Sequence, residues 1–222
     1  MCGRYAASRR PEDLVSYFEV EEPPLEELAP TWNVAPTDRV WAVVQRERRE
    51  LRVLHWGLVP SWAKDTKGAA RLINARAETV PSKPAFRSAL AKRRCLLPAD
   101  GYYEWKPEAS GKQPWYLTSY DGGPLAMAGL FEHWRAPDGA WLSTCTVLTT
   151  AAPDELGEIH DRVPLLVPKP SWSTWLDPAL TDPGNLLVPG VAGVLQAWPV
   201  GKAVGNVRND GPQLVLPVEG TD

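Results

Sequence analysis

Apolar and polar residues alternate along much of the chain in runs too short for helices. Val40 to Val44 and Leu51 to Trp56 flank a charged tip, Gln45 to Glu50, which predicts a β-hairpin stopped by Gly57 and Pro60. Further strand-like runs fall at Arg94 to Leu97, Tyr102 to Lys106, Trp115 to Tyr120, Leu125 to Phe131 and Trp141 to Leu148. Turn signals separate most of them: Ala109-Ser110-Gly111, Asp121-Gly122-Gly123 and Pro137-Asp138-Gly139. Val194 to Val200 and Gln213 to Val218 read as closing strands.

Helical spacing is scarce. Pro11 suits a first helical position, with Glu12 and Asp13 in the first turn and Leu14, Val15 and Phe18 on one face, so a short covering helix is predicted. Phe86 and Leu90 predict a second after Pro84, and Ser171 is placed to cap a third through Trp172 and Leu176. Residues 21 to 38, rich in proline and acids, read as a long surface loop ending at Trp32-Asn33-Val34-Ala35-Pro36. Short strands without βαβ alternation or repeats predict a single α+β domain with mostly antiparallel sheet.

Composition changes little. The 222 residues are 44% hydrophobic and 23% charged, which excludes disordered and fibrous classes. The 23 prolines are scattered and read as loop punctuation, whereas 11 tryptophans against 3 phenylalanines favour surfaces needing a flat apolar face with a donor. No apolar run approaches the roughly 18 residues of a membrane span, and Met1 to Arg10 lacks the apolar stretch of a secretion signal. A soluble intracellular protein without a membrane partner is expected. Cys2, Cys95 and Cys145 are odd in number and far apart, and His55, His133 and His160 share no ligand spacing, so reduced thiols and no metal are expected.

Charge is distributed unevenly around a net value of −3. Residues 12 to 27 carry seven acids and no base, while 61 to 94 carry nine bases and two acids, which allows a local cationic face. An uneven solvated surface is the plainer alternative.

The chemistry concentrates at Cys2. Methionine aminopeptidases accept a small second side chain, so a mature chain beginning at Cys2 would carry an amine of pKa ~7.7 to 8.0 beside a thiol of pKa ~8.5. Both are partly nucleophilic near neutral pH. Such a 1,2-aminothiol traps aldehydes: the amine forms an imine, and the thiolate closes a five-membered thiazolidine. Elsewhere, Ile73 to Thr79 combines the Asn74 amide, the Arg76 guanidinium and the Glu78 carboxylate in a loop-like stretch. Glu104 lies between aromatics on a predicted strand, where apolar neighbours raise a carboxyl pKa. His160, beside Asp161 and Arg162, is the best general acid or base, while His55 and His133 read as packing or surface residues. Trp32 to Pro36 and Trp56 to Trp62 read as exposed turns whose indoles and prolines suit base stacking.

Met1-Cys2-Gly3-Arg4-Tyr5, Asn33-Val34-Ala35-Pro36, Trp56-Gly57-Leu58-Val59-Pro60, Ile73-Asn74-Ala75-Arg76, Ala99 to Trp105, Ile159-His160-Asp161-Arg162 and Val204-Gly205-Asn206 resemble, in order, the motifs of the SRAP (SOS response-associated peptidase) family. The resemblance implies one domain over 1 to 222, core about 2 to 217, with a barrel-like, mostly antiparallel sheet flanked by short helices. It implies an abasic-site processing protein that crosslinks itself to single-stranded DNA, including single-strand/duplex junctions. Cys2 would be the crosslinking residue, with Asn74, Glu104 and His160 as companions and no cofactor. Arg4, Arg76 and Arg162 fall on positions for DNA phosphates, and Asn33, Pro36, Trp62, Trp105 and Thr149 on further DNA-contact positions. The protein would be a cytoplasmic, DNA-associated monomer, with weak lyase activity and peptidase-like removal of Met1. The chain departs from the family pattern at Lys83-Pro84, Val163 and Gly201.

Two alternatives compete. An opening Met-Cys-Gly also resembles class II glutamine amidotransferases, N-terminal-nucleophile amidohydrolases whose later glutamine-holding motifs do not appear here. A noncovalent single-strand-binding module using indoles and arginines would leave Cys2 dispensable.

Overall fold

The computed structural model describes residues 2–109, 111–153, 155–188 and 193–218. In chain order the strands and α-helices are β1 (Tyr5–Ala7), α1 (Pro11–Tyr17), β2 (Thr31–Val34), β3 (Arg39–Gln45), β4 (Arg49–Trp56) and β5 (Asn74–Arg76). There follow α2 (Arg87–Lys92), β6 (Arg94–Ala99), β7 (Gly101–Glu108), β8 (Gly111–Ser119), β9 (Leu125–Arg135) and β10 (Trp141–Ala151). The last are β11 (Arg162–Pro164), α3 (Trp172–Leu176) and β12 (Leu195–Pro199). Single 3₁₀ turns fill several connections.

Five strands close on themselves. The β3–β4 hairpin pairs through β3 with β6, β6 with β9, and β9 with β10, all antiparallel. A short parallel contact of Thr144 and Cys145 with His55 and Trp56 then joins β10 back to β4. Closure removes exposed sheet edges from this part of the molecule. The second sheet, in order β12-β8-β7-β1-β2, is antiparallel throughout.

Alternation assigns the two faces of the barrel strands to different cores. Val40, Ala42 and Val44, with Cys95, Leu97, Met127, Cys145 and Val147, share a cluster with Tyr5, Tyr102 and Leu117 of the second sheet. Trp41, Val43, Leu96, Ala128, Leu130 and Leu148 pack instead with residues of the three helices, including Leu14, Leu90 and Trp175. Burial on both faces explains the dense apolar runs. The chain passes from one sheet to the other at Asp100, which lies between β6 and β7 and accepts bonds from Ser8 N (2.6 Å), Ser8 Oγ (2.7 Å) and Arg9 Nε (3.0 Å). Gly101 follows because a Cβ there would meet Leu117 O and the Tyr116 ring at 2.5 Å.

The α+β reading, the β3–β4 hairpin, the three helices and the strands from β6 to β10 agree with the sequence pattern; β12 does too. Four local readings are corrected. Trp32 to Val34 is not loop but part of β2, where backbone pairing of Thr31 and Val34 with β1 compensates for weak alternation. Asn74 to Arg76 forms β5 because β10 offers a free parallel ladder at Val147 to Thr149. Pro212 starts a 3₁₀ turn through Val215 in place of a strand, and only Pro217 bridges to Val200. Ser171 precedes α3 as predicted, but its side chain makes no capping bond, because a 3₁₀ turn at Lys169–Ser171 already leads into the helix. Ser110, in a predicted turn, lies outside the described residues.

The basic stretch is likewise not all surface. Arg94 is buried and donates to Trp175 O (2.6 Å), Leu90 O (2.6 Å) and Asp177 O, closing the ends of α2 and α3. Lys64, Lys67, Arg71, Arg76, Lys83 and Arg87 remain exposed. Among the described residues, no helix is long and apolar enough to cross a membrane.

Candidate active site

The N-terminal segment runs into β1, whose Tyr5 pairs with Tyr102 of β7 and with Val34 of β2, and this places Cys2 inside the molecule. Cys2 is fully buried, and burial, reinforced by the charge of Glu104, pushes its thiol well above the ordinary thiol range. In this buried arrangement, with Met1 still attached, the thiolate has lost its water and ionisation is disfavoured.

Asn74 is brought to Cys2 by β5. The ladder of Asn74 with Val147, and Val147 N–H to Ile73 O at 2.9 Å, set the strand so that Asn74 Nδ2 donates to Cys2 O at 2.6 Å. Asn74 Oδ1 is buried without a hydrogen-bond partner among the described residues. The amide thus grips the first described residue with one end and keeps an acceptor in hand.

Glu104 comes from the other sheet. It sits on β7 opposite Trp115 and is only 3% exposed, which excludes an outward strand charge. Burial raises its carboxyl to about 7, so both protonation states are populated at neutral pH. This is the environment its aromatic neighbours predict.

His160 is held in the turn before β11, its N–H donating to Leu156 O (3.1 Å). Its Nδ1 accepts the backbone N–H of Arg162 (3.0 Å), and burial lowers its pKa, keeping the ring largely neutral near pH 7. Asp161 Oδ1 lies 2.9 Å from the same nitrogen.

The residues expected to meet DNA divide into four groups. Arg162 and Thr149 lie together beside β5: Arg162 Nη2 donates to Thr149 O (2.6 Å), and Thr149 pairs with Arg76, whose side chain is exposed. Arg4 and Asn33 are committed elsewhere. Arg4 Nη1 donates to Asn33 Oδ1 (2.8 Å) and Val204 O (2.9 Å), while Asn33 Nδ2 donates to Asn206 O (3.1 Å) and Asn209 O (2.7 Å), clasping the C-terminal segment. Trp105 packs against the cluster of Tyr103, Tyr116 and Val200, and Pro36 is half-buried beside Thr37, which holds a φ of 77°.

Of the indoles in the two stretches, Trp62 alone projects outward, at 68% exposure, whereas Trp56, Leu58 and Val59 are buried. The expectation of two exposed turns is corrected accordingly. Gly57 ends β4 at φ 136°, where a Cβ would meet Ala69 O at 2.8 Å, turning the chain inward.

The sequence pattern does not show which partner Glu78 takes. Glu78 receives Arg162 through both carboxylate oxygens, at 2.6 and 2.9 Å. Its presence in the Asn74-to-Thr79 motif was the available signal; the pairing partner lies 84 residues away. Among the described residues, no group of three or more His, Cys, Asp or Glu is arranged to hold a metal ion.

Similarity to known proteins coincides with this site. The family model described as SOS response associated peptidase (SRAP) matches residues 1–207. Abasic site processing protein YoqW of Bacillus subtilis (strain 168) is 37% identical over 221 residues, covering 97% of this chain and 99% of that protein. YedK of Escherichia coli (strain K12), also named an abasic site processing protein, is 33% identical and covers 98% of this chain and 100% of its own length. A crystal structure of a protein from Bordetella bronchiseptica superposes with a TM-score of 0.78 at 28% identity, covering 90% of this chain and all of that one. One from Bacteroides thetaiotaomicron, with a TM-score of 0.88 at 24% identity over 98% of this chain and all of that one, shares the fold. Motif order, closed barrel and a match over nearly the whole length agree: the chain belongs to the SOS response associated peptidase (SRAP) family.

Proposed function

We propose that this protein processes abasic sites in single-stranded DNA by linking its Cys2 to the lesion. The observation that carries the reading is the Asn74 amide on the Cys2 carbonyl at 2.6 Å, with the charge of buried Glu104 acting on the same cysteine. The naming of YoqW and YedK as abasic site processing proteins supports the substrate.

Hydrolysis of the Met1–Cys2 peptide bond frees the Cys2 amine. The amine adds to the C1′ aldehyde of the ring-opened deoxyribose, and loss of water yields an imine. The thiol sulfur then adds to the imine carbon while its proton passes to nitrogen, closing the thiazolidine with no oxidant or reductant. A thiol this reluctant to ionise needs an acceptor nearby, and a carboxyl with a pKa of about 7 is suited to take and return that proton. We assign Glu104 to the ring oxygen and amine, His160 to the sugar hydroxyl side, and Asn74 to orientation of the terminal residue. β-Elimination from the imine accounts for a weak lyase side reaction when closure fails.

Arg76 and Arg162, beside Thr149, are the phosphate contacts this arrangement favours; Arg4 and Asn33 contribute by holding the segment at Val204 to Asn209. Trp62 is an exposed indole in a family motif region that could stack on a base at a junction. Denaturing electrophoresis with a single strand containing one abasic site tests the reading. A slowed band is expected for the lesion strand, and none for an intact strand. Glutaminase activity without a band would favour the amidohydrolase alternative, and a complex lost on denaturation the noncovalent one.

A further inference from the structure

The two strands that reach Cys2 from opposite sheets share an arrangement. On β5, Asn74 donates to Cys2 O, and Arg76, two residues on, is exposed. On β7, the charge of Glu104 acts on the same cysteine, and Lys106, two residues on, is partly exposed. The ladder of β7 with β8 runs in regular register from Gly101 to Glu108, so alternation puts Lys106 on the face that carries Glu104. The contacts agree: Lys106 Nζ lies over the Trp115 ring, 5.7 Å from its centroid, and Trp115 packs against the cluster that contains Cys2. Two residues along a strand span about 7 Å, so Lys106 stands beside the reacting position and not on a remote surface.

The carboxylate facing Lys106 holds it loosely. Glu158 Oε2 lies 3.8 Å from Nζ, in the turn that leads to His160, and its side chain is 76% exposed, so water competes for both charges. Lys112, opposite Pro107 in the same hairpin, adds a second cation on this side, and its charge reaches His160. Cys2 thus has basic side chains on both sides, from β5 and from the β7–β8 hairpin.

We propose that Lys106 is a phosphate contact, and that the DNA strand crosses Cys2 from Arg76 on β5 to Lys106 on β7, each holding one of the two phosphates that flank the lesion. This path rests on the abasic-site reading and adds to it the far side of the lesion. A strand held only at Arg76 and Arg162 is free to pivot about them, whereas a cation beyond the lesion fixes the sugar between two points, as presenting C1′ to the Cys2 amine requires. An ammonium suits that task, being a compact charge that takes a phosphate oxygen without the fork geometry a guanidinium imposes. Glu158 is then the carboxylate that the phosphate displaces.

A single strand carrying a tetrahydrofuran abasic analogue, which has no aldehyde, binds without linking and reports on contacts alone. In fluorescence anisotropy across a salt series, Lys106→Gln should weaken its binding several-fold at low salt and flatten the salt slope by roughly 0.7, while Lys106→Arg keeps the slope. Glu158→Gln should tighten binding, and by less when Lys106 is already replaced. If the ion pair served only to hold the His160 turn, Glu158→Gln and Lys106→Gln would slow crosslinking alike with the slope unchanged, and the proposal would fall. Methylphosphonates, which remove the charge of one phosphate at a time, locate the contact. Neutralising one phosphate beside the analogue should abolish the difference between wild type and Lys106→Gln, and neutralising the other the difference between wild type and Arg76→Ala. Loss of both differences at a single phosphate, or of neither at either, would overturn the path across Cys2. Should the wild type form no crosslink with a true abasic strand while these binding results hold, the covalent reading falls and Lys106 stands as a phosphate contact.

Discussion

Glu78 holds Arg162 by both carboxylate oxygens, 2.6 and 2.9 Å from Nη1 and Nη2, across the end of β10. A phosphate uses the same two donors in the same fork geometry. A DNA backbone reaching Arg162 must therefore displace Glu78 or share the guanidinium with it.

Glu78→Gln should accordingly tighten binding to intact single strands, most at low salt. The stability change should be small, because an ion pair with a half-exposed partner contributes about 0 to 1 kcal/mol. Fluorescence anisotropy across a salt series checks this. Unchanged or weaker binding would mean that Arg162 meets no phosphate or needs Glu78 to hold it. Arg76→Ala, in the same experiment, should weaken binding across sequences and flatten the salt slope by roughly 0.7.

Glu104 predicts a pH signature in both rate and stability. Its carboxyl rises from an ordinary 4.5 to about 7 in the folded protein, so folding takes up a proton between these values. Stability attributable to this group is therefore retained below pH 4.5 and declines as pH rises towards 7, by up to about 3 kcal/mol. Glu104→Gln removes that decline: its melting temperature should exceed wild type at pH 8 more than at pH 5. The variant should also lose the limb near pH 7 in the crosslinking rate while still binding intact strands. Matching pH profiles for the two proteins would contradict the assignment.

Amine and thiol separate at Cys2. Cys2→Ser, with Met1 removed, keeps the amine and should give a complex trapped by borohydride but little that survives heat without it. An uncleavable N-terminal extension turns the amine into an amide, whose delocalised lone pair is not nucleophilic. Neither imine nor stable adduct should then form, although binding persists. Full crosslinking by the extended protein, with intact mass showing the extension still attached, would falsify the aminothiol mechanism.

Arg94 predicts the opposite behaviour from a DNA contact. Its guanidinium satisfies the carbonyls of Leu90, Trp175 and Asp177. Arg94→Met should lower unfolding free energy by on the order of 3 kcal/mol, leaving those carbonyls without their donor. DNA affinity of the folded protein should not change. Chemical denaturation paired with anisotropy distinguishes this from loss of a cationic surface.

Short-range pattern determined the elements whose signal is local. The β3–β4 hairpin follows from two alternating runs around a charged tip, α1 from Pro11 and its spaced apolar residues, and α2 from Phe86 and Leu90. The sequence also marked Cys2, Asn74, Glu104 and His160 by chemical type and motif, and Glu104 by apolar neighbours that became its burial. Tertiary structure decided what depends on distant partners. Residues 31 to 34 and 74 to 76 are strands because β1 and β10 offer ladders to them, whereas Gln213 to Val215, with strand-like side chains, was not given one. Arg4 and Arg94 differ from Arg76 only in what closes over them, and no local pattern records that the C-terminal segment or α3 will do so. Joining β10 to β4 sets β5 beside Cys2, and the second sheet brings Glu104 to the same residue. Burial there takes water from a thiol and a carboxyl alike, and so raises both pKa values; that shared desolvation is a property of the closed fold.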